Sequence, residues 1–310
     1  MNFKNYLKEN KDFIMMTLFA IIVLSVFFFN QKKVQNNPPI LAGNSLEKFI
    51  PDYNAVLNTI QAKSFYVYDI LAQKSIFNKD EHVQLPLASI TKLMSGLVAL
   101  DVMKEDTIIT IKRDDILMEG DSGLAIGEKW KLKDLLDFSL ITSSNDGMHA
   151  IARSLDYYVA VNNKDTIKLM NEKAKNLGLN DTIFVNETGL DIDTNMSGAY
   201  SSSYDIAKLL EDIIKNNPSL IIGTKNQAKT FVSESNIKHI ALNTDSSINN
   251  IAGMIASKTG FTDLAGGNLA IAFDAGIMHP VIVVVLGSTT DGRFSDVEKF
   301  VNLALYKLSE

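Results

Sequence analysis

The chain has 310 residues, 46% of them hydrophobic, and a net charge of −6 with both signs spread along its length. That is ample for a large core, and no basic stripe points to nucleic acid and no acidic tail to a charged partner. There is no cysteine, which excludes disulfides, thiolate nucleophiles and cysteine-ligated metals, and His82, His149, His239 and His279 lack ligand spacing. Chemistry here rests on hydroxyls, lysines and carboxylates, with no metal and no cofactor expected.

Residues 13–29, FIMMTLFAIIVLSVFFF, form an apolar run broken only by Thr17 and Ser25. As a helix it would span about 26 Å, enough for a bilayer core. No small-residue cleavage site follows, and Asn44 stands where a lipidated cysteine would be needed after Leu41-Ala42-Gly43. The reading is a short cytoplasmic tail (1–12), an uncleaved single-pass anchor (13–29), a polar spacer (30–44) and an extracytoplasmic domain (45–310).

Residues 64–70 and 74–78 alternate and are β-rich, which predicts a hairpin. Apolar residues at 90, 93, 94, 97, 98, 100, 102 and 103 predict a helix buried on most sides. Helical spacing recurs over 131–141, 145–155, 165–179 and 202–215. KTFVSES and IKHIALNT suggest a second hairpin, GMIASKTGFT, NLAIAFDAG and HPVIVVVLGST read as three strands, and 295–308 closes the chain as a helix. This order predicts an α+β fold: an antiparallel sheet sharing a core with terminal helices, and a helical subdomain inserted at roughly 89–220.

Three S-x-x-K quadruplets occur, at Ser45–Lys48, Ser89–Lys92 and Ser235–Lys238. Only Ser89–Lys92 opens a buried helix, where i and i+3 side chains share a face and the helix amino terminus favours negative charge developing at the serine. A capping serine followed by a solvated lysine would look the same in isolation. S-x-N occurs at Ser143-Ser144-Asn145, between two predicted helices, and at Ser247-Ile248-Asn249; K-T-G occurs once, at Lys258-Thr259-Gly260 in a strand pattern. In order, S-x-x-K, S-x-N and K-T-G are the motifs of penicillin-binding proteins and class A β-lactamases.

The chain is similar to low-molecular-mass penicillin-binding proteins of the D-alanyl-D-alanine carboxypeptidase (peptidase S11) family over about residues 62–310. GDSGLAIGEKWKLKDLLDFSLITSSNDG, LMNEKAKNLGLNDTIFVNETGLD, YSSSYDIAKLL, SKTGFTDLAGGNLA and VVVLGSTTDGRFSD carry the resemblance. It implies a β-lactamase/transpeptidase-like fold. It also implies removal of the terminal D-alanine from peptidoglycan stem peptides through an acyl-enzyme, and acylation by β-lactam antibiotics. Ser89 would be the nucleophile and Lys92 its base, neutral through burial and the nearby Lys258. Ser143 would relay a proton and Asn145 would orient Lys92 and the substrate amide. Lys258 and Thr259 would hold the terminal carboxylate, Gly260 would leave room for the peptide, and the N–H groups of Ser89 and Phe261 would form the oxyanion hole.

Many relatives carry a further carboxy-terminal β-rich domain and anchor helix; this chain is expected to end with its catalytic domain and to be anchored at its amino terminus. An endopeptidase cutting peptidoglycan crosslinks would use the same residues. A class A β-lactamase finds an imitation of its loop motif in Glu172 and Asn176, but these fall inside a predicted helix and Ser144 replaces the S-D-N aspartate. A penicillin-sensing receptor domain is the reading from another class, and 12 residues before the apolar run leave little room for a signalling domain.

Overall fold

The run Val281–Leu286 has no polar side, so a strand made of it must be covered on both faces. The structure, a computed structural model, describes residues 52–160 and 164–310. The apolar run 13–29 and the spacer lie outside the described residues. Among the described residues no helix is long and apolar enough to cross a membrane.

The central sheet is five-stranded and antiparallel. Its strands are β1 (Ser64–Asp69), β2 (Lys74–Lys79), β10 (Met254–Thr262), β11 (Gly266–Asp274) and β12 (Pro280–Ser288), in the order β10-β11-β12-β1-β2. One face carries Phe65, Val67, Leu269, Ile271, Phe273, Val281, Val283 and Val285, packed against Val297, Phe300 and Val301 of the closing helix. The other face carries Tyr66, Tyr68, Ala270, Ala272, Ile282, Val284 and Leu286, which join the core of the helical region. Strand periodicity of two thus divides one unbroken apolar run between two cores.

Between Lys79 and Met254 the chain leaves the sheet. There α2 (Lys92–Val102) is buried almost all round, as its broad apolar pattern predicts, and α3 (Leu132–Thr142), α4 (Asn145–Val159), α5 (Thr166–Asn176) and α6 (Ser203–Asn216) surround it. A short α1 (Tyr53–Leu57) precedes the sheet and α7 (Gly292–Leu308) ends the chain. Several starts are fixed by side-chain caps: Ser144, Asp165 and Ser202 accept from the amides of Gly147, Lys168 and Asp205. The predicted hairpin is β8 (Ala228–Val232) with β9 (Lys238–Leu242), packed on α3.

Two features depart from the expectation. The helix beginning near residue 90 opens as a tight 3-10 turn, Ala88–Thr91, before α2. The helical region also carries β3 (Leu85–Pro86), β4 (Ile108–Thr110), β5 (Lys129–Lys131), β6 (Ile183–Phe184) and β7 (Ala199–Ser201), which pair as β3-β7-β6 and β4-β5. Two or three residues are too few to show alternation, so these ladders leave no sequence signal.

Phe300 is fully buried, with its ring 4.5 Å from that of Phe65, and it ties α7 to the sheet. Phe300→Ala is expected to lower stability by about 3–5 kcal/mol, measured as a fall in the denaturant midpoint without a change in slope.

Candidate active site

Ser89 is presented by a strained turn. Ala88, a non-glycine residue, has φ +49°, which costs on the order of 1–3 kcal/mol and needs support from outside. Asn268 on β11 donates to the carbonyls of Pro86 (2.9 Å) and Leu87 (3.1 Å), and Thr91 Oγ1 donates to that of Ala88 at 2.7 Å. Gly189 presses on the same carbonyl so closely that a Cβ there would lie 1.9 Å from it. Gly260 on β10 lies beneath the turn, its would-be Cβ 2.7 Å from the Leu87 carbonyl and 3.3 Å from the Ser89 nitrogen. That close approach requires the K-T-G glycine. Phe261 follows it and is 49% exposed.

Lys92 is fully buried, one turn after Ser89. Its Nζ lies 2.6 Å from Ser89 Oγ, 2.6 Å from Asn145 Oδ1 and 3.0 Å from the Thr188 carbonyl. Asn145 Nδ2 donates to the Glu119 carbonyl at 2.6 Å, which fixes its oxygen toward the lysine. Two of the three neighbours can only accept, whereas the serine hydroxyl can also donate. A neutral amine has two N–H donors and one lone pair, so this set suits it: the lone pair faces the hydroxyl proton.

The electrostatics agree. Burial pulls the Lys92 pKa down to about 7, against the pull of the Glu187 carboxylate, which favours the charged form. Lys258, also buried, is held well below the usual lysine range by burial first, then by Lys92 and Arg293, with Asp245 opposing. Two buried lysines that repel each other titrate as a pair, so protonating one disfavours protonating the other.

The second half of the site hangs from Lys258. Its Nζ donates to Ser143 Oγ and to the Thr259 carbonyl, both at 2.8 Å, and Thr259 Oγ1 lies 2.5 Å from Thr244 Oγ1. Ser143 ends α3 in the left-handed conformation, φ +60°, while Ser144 caps α4. The capping function and the site function of S-x-N therefore fall on different serines.

The structure brings Ser89, Lys92 and Asn145 into one hydrogen-bonded cluster, Ser143 and Lys258 into another, and joins them through β10, on which Thr259, Gly260 and Phe261 lie. Ser235 sits in the turn of the outer hairpin accepting from the Lys129 amide, and Ser45–Lys48 lies outside the described residues. Ser247 is used up by Asp245. Glu172, on α5, pairs with Lys164, which precedes that helix.

Sequence reasoning missed Thr188, which contributes only a backbone carbonyl, and Glu187, whose carboxylate pairs with His149 at 2.7 Å. It missed Arg293, which donates to the Gly260 carbonyl at 2.7 Å, and the bracing amide of Asn268. All four fall inside quoted resemblance segments, and nothing in their spacing separates them from ordinary polar residues.

The sequence model of the peptidase S11 family, described as D-alanyl-D-alanine carboxypeptidase, matches residues 52–290. The chain belongs to this family. Among relatives of this S11 chain, D-alanyl-D-alanine carboxypeptidase DacF of Bacillus subtilis is 29% identical over 250 residues, 79% of this chain and 62% of that protein. The D-alanyl-D-alanine endopeptidase of Escherichia coli is 30% identical over 220 residues, 67% of this chain and 65% of that protein. The chain thus spans under two thirds of the length of either. Penicillin-binding protein D2 from Listeria monocytogenes, in its ampicillin-bound form, superposes with TM-score 0.67 at 26% identity, covering 79% of this chain and 98% of that one. The fold of this S11 member is accordingly the β-lactamase/transpeptidase-like one.

If neutral Lys92 is what activates Ser89, acylation by a penicillin rises with pH and levels off above about 7. Glu187→Gln removes the charge that raises the Lys92 pKa, so the midpoint of that rise is expected at lower pH than in the wild type, read from labelling rates between pH 5 and 9. Gly189→Ala is expected to abolish labelling, because the turn beneath Ser89 must move to admit the methyl group.

Proposed function

We propose that this chain is a serine-type D-Ala-D-Ala carboxypeptidase that removes the terminal D-alanine from peptidoglycan stem peptides and is acylated by penicillins. The observation that carries this reading is the buried Lys92 amine, poised near neutrality between Ser89 and Asn145, with a second lysine set across from it.

That geometry supports the following course of reaction. Ser89 Oγ gives its proton to Lys92 Nζ and attacks the carbonyl of the penultimate D-alanine. The developing oxyanion is met by the amides of Ser89 and Phe261. Ser143, bonded to Lys258, relays to the departing amine the proton that Lys92 took, so that the serine proton leaves on the amine and both Lys92 and Ser143 return to their starting state. The terminal carboxylate sits at Lys258 and Thr259, and its arrival offsets the burial that disfavours the Lys258 ammonium. A charged Lys258 in turn keeps Lys92 neutral while substrate is bound. Water then hydrolyses the ester.

The apolar run 13–29 supports a single-pass anchor with the catalytic domain outside the cytoplasm. A chain beginning at Ser45 is expected to stay in the soluble fraction and keep its activity; partition with membranes would reveal a second attachment.

Incubation with a pentapeptide precursor is expected to release free D-alanine, and Ser89→Ala to abolish both that release and penicillin labelling. Acylation without D-alanine release would instead mark a penicillin sensor. Lys92→Ala is expected to slow acylation by peptide and penicillin alike, by ~10²–10⁴-fold. Lys258→Ala is expected to slow free-acid peptides far more than peptides ending in an amide. Equal slowing of both would remove carboxylate binding from Lys258.

A further inference from the structure

The reaction makes no use of His149, which sits one turn after Asn145 on α4. Residues i and i+4 share a helix face, so the two side chains leave α4 on the same side. Asn145 Oδ1 reaches Lys92 Nζ directly, at 2.6 Å. His149 stops one residue short of the amine: its Nδ1 lies 2.7 Å from Glu187 Oε1. The backbone of Glu187 is held from α2. Ser95, one turn after Lys92, donates to the Glu187 carbonyl at 2.6 Å, and the next carbonyl, that of Thr188, accepts from Lys92 at 3.0 Å. Gly189 then presses on the Ala88 carbonyl under the nucleophile. One short stretch of chain thus touches the base, the turn that carries the serine and, through its first side chain, His149.

The pair is poorly hydrated, with the carboxylate side chain 14% exposed and the imidazole 31%. Charges in such surroundings act strongly on their neighbours. A bare Glu187 carboxylate favours the ammonium form of Lys92, which is the wrong form for taking the Ser89 proton. An imidazolium bonded to that carboxylate offsets it. The Glu187 bond raises the His149 pKa above its ordinary value, with burial opposing. Burial likewise pushes Glu187 up, but the same bond outweighs it and holds the carboxyl below its usual range. Asp115 also favours the imidazolium and Arg153 disfavours it, and these two bond to each other at 2.8 Å. Asp146, also on α4, accepts from Ser122. The other helices packed on α4 bring charges that pair elsewhere: Lys133 and Asp137 of α3 with Glu105 and Lys229, and Glu172 and Lys173 of α5 with Lys164 and Asp101.

We propose that His149 is a positioning residue for Lys92 that acts through Glu187: its imidazolium offsets the carboxylate charge that would otherwise keep a proton on the amine. This rests on the reading of Lys92 as the base for Ser89. The sign is self-consistent. Where the pH is low enough for Lys92 to need help in staying neutral, His149 is charged and the offset is present. Where the pH is high enough for His149 to lose its proton, the amine is neutral without it. The histidine therefore extends the reactive form of the site toward mildly acid conditions, and it does so from one residue behind the reacting atoms.

The test uses the full chain and the rate of labelling by a fluorescent penicillin between pH 5 and 9. His149→Asn puts a neutral N–H donor as far from the backbone as Nδ1, so the tie to Glu187 is kept and the charge is lost. It is expected to move the midpoint of the rise upward by about half a unit to one unit. The rate at pH 6 then falls roughly three- to tenfold, while the rate at pH 9 stays within about twofold of the wild type. Glu187→Gln leaves nothing for the imidazolium to offset, so adding His149→Asn to it is expected to leave the midpoint where Glu187→Gln puts it. A His149→Asn profile that overlays the wild type overturns the proposal and leaves the histidine a structural tie. A loss by the same factor at every pH overturns it as well. So does an equal shift in the Glu187→Gln background, because His149 would then act on Lys92 without Glu187. Wild-type labelling that does not rise with pH overturns Lys92 as the base, and the proposal with it.

Discussion

The site depends on one amine held out of water. Lys92 Nζ is shared among a hydroxyl from the turn before α2, an amide oxygen from the start of α4, and a carbonyl from the segment at Thr188. Three separate stretches of chain thus meet at one nitrogen. Were that nitrogen permanently charged, its burial would be a large uncompensated cost, since no carboxylate touches it. A pKa near neutrality removes much of that cost and leaves an amine with a free lone pair beside the Ser89 hydroxyl. Glu187 stands close enough to restrain the shift, with its own charge engaged by His149.

The remaining architecture can be read as support for that arrangement. The sheet supplies a rigid floor, and its edge strand β10 carries the second lysine. Asn268 on the neighbouring strand holds the turn that aims Ser89, so strain at Ala88 is balanced by hydrogen bonds from the sheet. Division of the Val281–Leu286 run between two cores locks the sheet on both faces. The site is built on this frame rather than on free loops, which suits a reaction that needs reacting atoms fixed to a fraction of an ångström.

Much of this was legible in the sequence. The long helices, the sheet strands and both hairpins follow from periodicity, because each is long enough to show its repeat. S-x-x-K, S-x-N and K-T-G were legible because side-chain identity carries their chemistry. What stayed hidden was the part supplied by backbone: the Thr188 carbonyl, the left-handed turns at Ala88 and Ser143, and the short ladders β3-β7-β6 and β4-β5. A carbonyl has no residue signature, and a serine in the left-handed region reads like any other serine. The balance of forces on Lys92 was only partly legible. Burial could be foreseen from the apolar pattern around it, but the opposing carboxylate of Glu187, 95 positions along the chain, could not.

Arg293, near the start of α7, reaches the carbonyl of Gly260, and β12 must pair with β1 before the sheet exists. The floor beneath Ser89 is therefore completed by residues that leave the ribosome about two hundred positions after it. Contacts of such long sequence separation form late, after much loop-closure entropy has been lost. The helical region can gather local structure early, but a nascent chain with Ser89 and Lys92 already made still has no floor under the turn. Reactivity toward an acylating ligand then reports completion of the whole domain, and the chain is chemically silent until its last helix has docked.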